Sequence, residues 1–183
     1  MEIIKINNKA VRARVIKNYL GNDRCFCFSC GNAVKELKYS GVNVIGISSK
    51  DKLKASEYIT PKESKQYFNC FDATSGCLPN FLIPEIANEI KTYLPESIFK
   101  NDKLIYVPTG SGETIYAFSF IFPISRLVAI TSDTIDAIKL EDQYAVMYKF
   151  IQNNFKIISI KDIVNKKSNN YFIDTGVLKG VLL

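Results

Sequence analysis

Histidine is absent from the whole chain. That removes every mechanism needing an imidazole base or ligand, including Ser-His-Asp and Cys-His nucleophile systems and His-ligated zinc. Acid-base chemistry then falls to Lys, Tyr, Asp, Glu, a hydroxyl or a bound cofactor. Long apolar runs are missing too. The opening MEIIKINNKAV has no apolar signal core, and the longest apolar stretch, around 115–124, falls well short of the ~20 residues a membrane span needs. The expectation is a cytoplasmic protein with no membrane partner.

Five cysteines, an odd number, stand at 25, 27, 30, 70 and 77, and without a secretory signal no disulfide framework is expected. The spacing Cys25-x-Cys27-x-x-Cys30 invites a metal. Cys25 and Cys27 alternate with Phe26 and Phe28 as in a buried strand, however, where cysteine packs as a small hydrophobe. No metal is therefore expected. The net charge of +6 comes from lysines scattered along the chain, which reads as solvated surface; no nucleic-acid partner is expected.

What is present is a chain of 183 residues, 47% hydrophobic, in which strand and helix signals alternate from end to end. That alternation predicts an α/β fold, doubly wound on a mostly parallel sheet. The chain is read as a single compact domain over 1–183, with room for a small lobe at 21–71 beside a larger lobe of 1–20 plus 72–183. A helix is expected over 9–20, with Val11, Val15 and Tyr19 on one stripe. A strand over 25–29, a helix over 32–40 and a strand over 42–47 make a β-α-β unit. An amphipathic helix is expected over 83–94, burying Ile83, Ile86, Ala87, Ile90 and Tyr93. Strands over 104–107 and 127–131 flank an apolar helix in a second β-α-β unit. Further signals are a short helix over 61–67, an apolar segment over 67–71, a helix over 144–150, and strands over 156–160 and 171–173.

The stretch 103–123, KLIYVPTGSGETIYAFSFIFP, carries the sharpest chemistry. A short strand delivers the chain to Gly110 and Gly112, where no side chain keeps backbone amides from closing around an anion. The helix that follows aims its positive end at the same spot. Two other loops join it: Lys9 in INNKAVRAR, and the turn Ser29-Cys30-Gly31-Asn32.

In chain order, Lys9, then Ser29 to Asn32, then Thr109 to Thr114, the three loops resemble the fold-type II family of pyridoxal-phosphate enzymes, which have a Schiff-base lysine at a helix start, a Ser-x-Gly-Asn turn and a glycine-rich phosphate loop. The segments IPEIANEIK and VPTGSGETIYAFSFIFPISRLVAITSD look like that family's helix before the phosphate loop and its strand, loop, helix and next strand. Within it, the pair Asn8-Lys9 and the late run Phe172-Ile173-Asp174-Thr175-Gly176 are most similar to the D-cysteine desulfhydrase and aminocyclopropane-carboxylate deaminase branch. The resemblance implies a compact enzyme of this type with a trimmed small lobe and pyridoxal phosphate as cofactor. It implies Lys9 as the Schiff-base lysine, Asn32 at the ring's phenolic oxygen, and Gly110, Ser111, Gly112 and Thr114 at the phosphate. Thr175 falls beside the pyridine nitrogen. Ser29 and Gly31 fall at the substrate carboxylate, and the turn Ala73-Thr74-Ser75-Gly76 adds Thr74 and Ser75. Tyr144 is a candidate proton carrier in place of histidine.

The implied activity is elimination or deamination of a small amino acid; a chain this small, with sites along a sheet edge, is expected to take its missing wall from a second subunit as a homodimer. Other readings of the same residues stay open: Lys9 as a solvated helix-start lysine, Asn32 as a helix cap, and Thr74 and Ser75 as plain loop hydroxyls. Glu113 stands where the family has a glycine, and a carboxylate there repels a phosphate unless it turns outward. Asp174 stands where the branch has histidine. These departures keep a second class in view, a non-catalytic protein of the same fold recognising a phosphorylated ligand or a protein partner.

Overall fold

The computed structural model describes residues 1–22, 24–27, 32–46, 67–68, 82–109, 112–131, 153–164 and 169–176. The chain divides into two compact units, one of Met1–Asn7 with Ala87–Leu183 and one of Asn8–Ile86. The architecture is α/β with mostly parallel strand pairing. Among the described residues no helix is long and apolar enough to cross a membrane.

The first unit is built on a five-stranded sheet of β1 (Glu2–Lys5), β5 (Ile105–Pro108), β6 (Leu127–Thr131), β7 (Lys156–Ser159) and β8 (Tyr171–Asp174), in the order β1-β8-β5-β6-β7. Every pairing in it is parallel. All residues of β5 and β6 are buried, so both faces of the sheet centre are covered, and this explains why these strands read as continuous apolar runs. Helices α4 (Glu113–Ser119) and α5 (Ile160–Val164) supply cover: α4 packs on β5 and β6, and α5 on β7. Tyr106, Val128, Ile130 and Phe172 from the sheet meet Ile160 and Ile163 from α5 in one core cluster.

Polar side chains close the sheet's amino edge. Asn101 donates from Nδ2 to the Ser97 carbonyl (2.6 Å) and the Tyr171 hydroxyl (2.8 Å), while its Oδ1 accepts from the Lys103 amide. Asn170 likewise donates to the Tyr106 hydroxyl. The two aromatic rings are thus buried with their hydroxyls satisfied, the arrangement that makes a buried tyrosine tolerable.

The second unit holds a three-stranded parallel sheet of β2 (Arg24–Cys27), β3 (Asn43–Gly46) and β4 (Tyr67–Phe68), in the order β3-β2-β4. Its helices α1 (Asn8–Leu20) and α2 (Asn32–Tyr39) pack together. Leu37 of α2 is buried. The buried arc of α1 is wider than the stripe read from the sequence: Arg12, Ala13, Ile16 and Leu20 join Val11 and Val15, whereas Tyr19 is exposed in the last turn.

Helix α3 (Ile83–Lys91) contains the division between the units. It buries Ile83, Ile86, Ala87 and Ile90. It stops at Lys91, three residues short of the expected end, so Tyr93 falls in the following turn and is exposed while Leu94 points inward. The expected helices at 61–67 and 144–150 lie outside the described residues, apart from Tyr67 in β4. β1 and α5 were not legible as elements. Only Ile4 of β1 is buried, and α5 has five residues, too few for a periodicity to show.

Candidate functional site at the carboxyl edge of the sheet

In a parallel sheet the turns after the strands gather on one edge, which is where ligands bind in such folds. In the first unit β1, β8 and β5 lie side by side. Lys5 is level with Asp174, and Tyr106 of β5 is level with Phe172 of β8. The amide of Ile6 donates to the Asp174 carbonyl at 2.9 Å, carrying the pairing one residue past β1. The ends of these three neighbouring strands lead respectively to the helix that bears Lys9, to Thr175, and to the glycine turn before α4.

The turn after β5 is set by backbone and hydroxyl contacts. Thr109 donates from its amide to the Ile130 carbonyl (2.7 Å) and from its hydroxyl to the Val107 carbonyl (2.9 Å). Gly112 precedes α4 with φ 90° and ψ −6°, in the left-handed region. A side chain is disfavoured there, so glycine is required by the backbone itself. Its carbonyl accepts the first helical hydrogen bond, from Tyr116. Gly112→Ala is expected to lower stability by about 1–2 kcal/mol, read as a fall in the melting temperature. An unchanged melting temperature would mean that the turn adopts another conformation.

Thr114 is half-buried in the first turn of α4, and Thr175 is half-buried just past β8. The turn at Thr175 is held by Asp174, whose Oδ1 accepts from the Gly176 amide at 2.8 Å, with Gly176 at φ 74°. Asp174 is therefore a turn-forming side chain, a role its position at a strand end before Thr-Gly could have disclosed.

Glu113 is the first residue of α4 and is only 5% exposed. Its carboxylate does not turn outward to solvent. A negative group is favoured at a helix start. The backbone of Gly112, the Thr114 hydroxyl and the helix start suit a phosphate in their chemistry, and the buried carboxylate beside them is the component that opposes one.

Lys9 is the second residue of α1 and is half-buried; Asn32 opens α2. These two candidates stand on the packed helix pair of the second unit, whereas Gly112, Thr114 and Thr175 stand on adjacent strand ends of the first. Gly110, Ser111, Ser29, Gly31, Thr74, Ser75 and Tyr144 lie outside the described residues. Among the described residues no group of three His, Cys, Asp or Glu side chains could hold a metal ion. Compared with known proteins, the chain matches no family model, no curated protein and no solved structure.

Proposed function

We propose that the chain is a pyridoxal-phosphate-dependent lyase or deaminase acting on a small amino acid, with a doubly wound fold of the fold-type II kind and a trimmed small lobe, working as a homodimer. The observation that carries this reading is the parallel set β1-β8-β5, whose level ends feed the Lys9 helix, Thr175 and the Gly112 turn. When bound, the cofactor supplies the electron sink for carbanion chemistry at the substrate's α-carbon.

The chain's own residues have separate tasks. Lys9 would offer its Nζ as the covalent anchor for the cofactor and would carry the proton at the substrate's α-carbon. Gly110, Ser111, Gly112 and Thr114 hold the phosphate through amides and hydroxyls. Asn32 would serve the ring's phenolic oxygen, and Thr175 would offer the ring nitrogen a neutral hydroxyl rather than a carboxylate. Ser29, Gly31, Thr74 and Ser75 receive the substrate's carboxylate.

The burial of Glu113 favours a second reading, in which the fold binds a phosphorylated ligand or a protein partner without catalysis. Titration with pyridoxal phosphate, followed by visible absorption, separates the two. The enzyme reading expects a saturable new band that pyridoxal lacking the phosphate produces far more weakly. Saturable binding by calorimetry with no band supports the second reading.

Glu113→Gln addresses the opposing charge directly. Like charges 4 Å apart repel by about 4 kcal/mol at an effective dielectric near 20, so this isosteric change is expected to tighten binding of the phosphorylated cofactor by at least about tenfold. Unchanged affinity would place the carboxylate away from the ligand.

A further inference from the structure

The opposite, amino edge of the first unit carries features that the cofactor site does not use. The loops entering β5 and β6 lie next to each other there, since the two strands are parallel neighbours. Between 99–102 and 121–126 a groove of about 430 Å³ opens, with Phe99, Lys100, Ile121, Phe122 and Arg126 along it. Phe99 and Phe122 stack with centroids 5.2 Å apart, Lys91 lies over the first ring (6.0 Å) and Arg126 over the second (5.0 Å). Apolar side chains remain in water: Phe99 is 41% exposed, Phe120 53% and Ile124 38%. Exposed apolar groups rimmed by charge mark an interaction surface.

The charge around them has one dominant sign. Lys91, Lys100, Lys103 and Arg126 outnumber Glu96 and Asp102, a surplus of two positive charges that the Lys100–Glu96 pair at 2.7 Å leaves unchanged. We propose that this edge docks on the anionic face of a lipid bilayer. The apolar groups stand on two separate loops around an open groove, which suits shallow entry of Phe99, Phe120 and Ile124 into a fluid interface while the exposed Lys91 and Lys100 reach the headgroups; Arg126, held by the Lys103 and Ile98 carbonyls, adds fixed positive charge. Such binding needs no spanning helix, so it departs from the expectation of no membrane partner, which rested on the lack of a span, and it is independent of the cofactor reading because it uses the other edge of the sheet. A second copy of this chain is disfavoured as occupant, since both copies would bring the same surplus of positive charge.

Flotation of the full chain with vesicles of phosphatidylcholine alone, and of phosphatidylcholine and phosphatidylserine in equal parts, tests the proposal. The protein is expected to float with the mixed vesicles only, less so as salt rises. The double substitution Phe99→Ser with Phe120→Ser should weaken binding by about tenfold or more, with circular dichroism showing that the fold is kept. Lys91→Ala and Lys100→Ala should each weaken it about fivefold, and these exposed positions carry the test if the phenylalanine variant misfolds. Lys35→Ala with Lys38→Ala, on α2 of the second unit, removes two positive charges that are not part of this edge and should change binding by less than about twofold. Failure to float with mixed vesicles at low salt, equal flotation with both kinds, or an equal loss from the α2 pair would overturn the proposal. So would self-association without lipid that the phenylalanine substitutions abolish, which assigns the surface to a second copy. Equally tight binding to polyglutamate that ignores those substitutions would assign it to an acidic polypeptide.

Discussion

Lys9→Ala should leave a folded protein that no longer retains pyridoxal phosphate covalently and whose turnover falls by about three orders of magnitude or more. The fold is expected to survive because alanine is the best helix former and the position is the second residue of a thirteen-residue helix. The loss is large because no other group replaces an amine that is both anchor and proton carrier. A histidine substitute is unavailable in a chain that has none. Lys35→Ala, on the exposed side of α2, is the matched control and should keep both properties. If Lys9→Ala retains the cofactor's absorption as the wild type does, the lysine is a surface residue and the enzyme reading loses its central group.

The second large effect is on stability. Phe172 is 1% exposed on β8, between β1 and β5, and packs in the cluster with Tyr106, Val128, Ile130, Ile160 and Ile163. Phe172→Ala removes a ring from a close-packed interior that relaxes only in part, so the expected cost is about 3–5 kcal/mol. Against a typical total of about 5–15 kcal/mol, that is a large share, visible as a shifted midpoint in urea unfolding. Phe120→Ala, at an exposed position, should stay within about 0.5 kcal/mol. Equal costs at the two positions would contradict the placement of β8 in the middle of the sheet. Because Thr175 follows β8 directly, the Phe172 variant should also weaken any ligand held at that turn.

Fully buried parallel strands were easy to read. β6 was expected and found at 127–131, because a strand covered on both faces is apolar at every position. The inward face of α3 was legible from its period for the same kind of reason, Ile83, Ile86, Ala87 and Ile90 all being buried. What misled was the end of that helix. Nothing in Thr92-Tyr93-Leu94 breaks the apolar period, and the chain nevertheless leaves the helix at Lys91 through turn hydrogen bonds to Glu89 and Ile90. Arg12 is buried on α1 although it is charged, because the aliphatic stem of an arginine lets it enter a packed face.

At the candidate site, the need for glycine at 112 followed from local chemistry, because freedom from a side chain is a short-range demand; the bond from the Gly176 amide to Asp174 is equally local and was not read. The side-chain environment of Glu113 did not follow. Whether a carboxylate at a helix start faces water or the interior depends on what packs against the helix, and that is a tertiary property.

The central claim is that a phosphorylated pyridoxal cofactor is anchored on Lys9. Incubating the wild-type chain with pyridoxal phosphate, reducing with borohydride and mapping the digested protein by mass spectrometry tests it most directly. The account predicts a stoichiometric reduced adduct on the peptide that contains Lys9, depleted when inorganic phosphate competes. An unmodified Lys9 peptide, or label spread over surface lysines such as Lys35, Lys91 and Lys100, would contradict it.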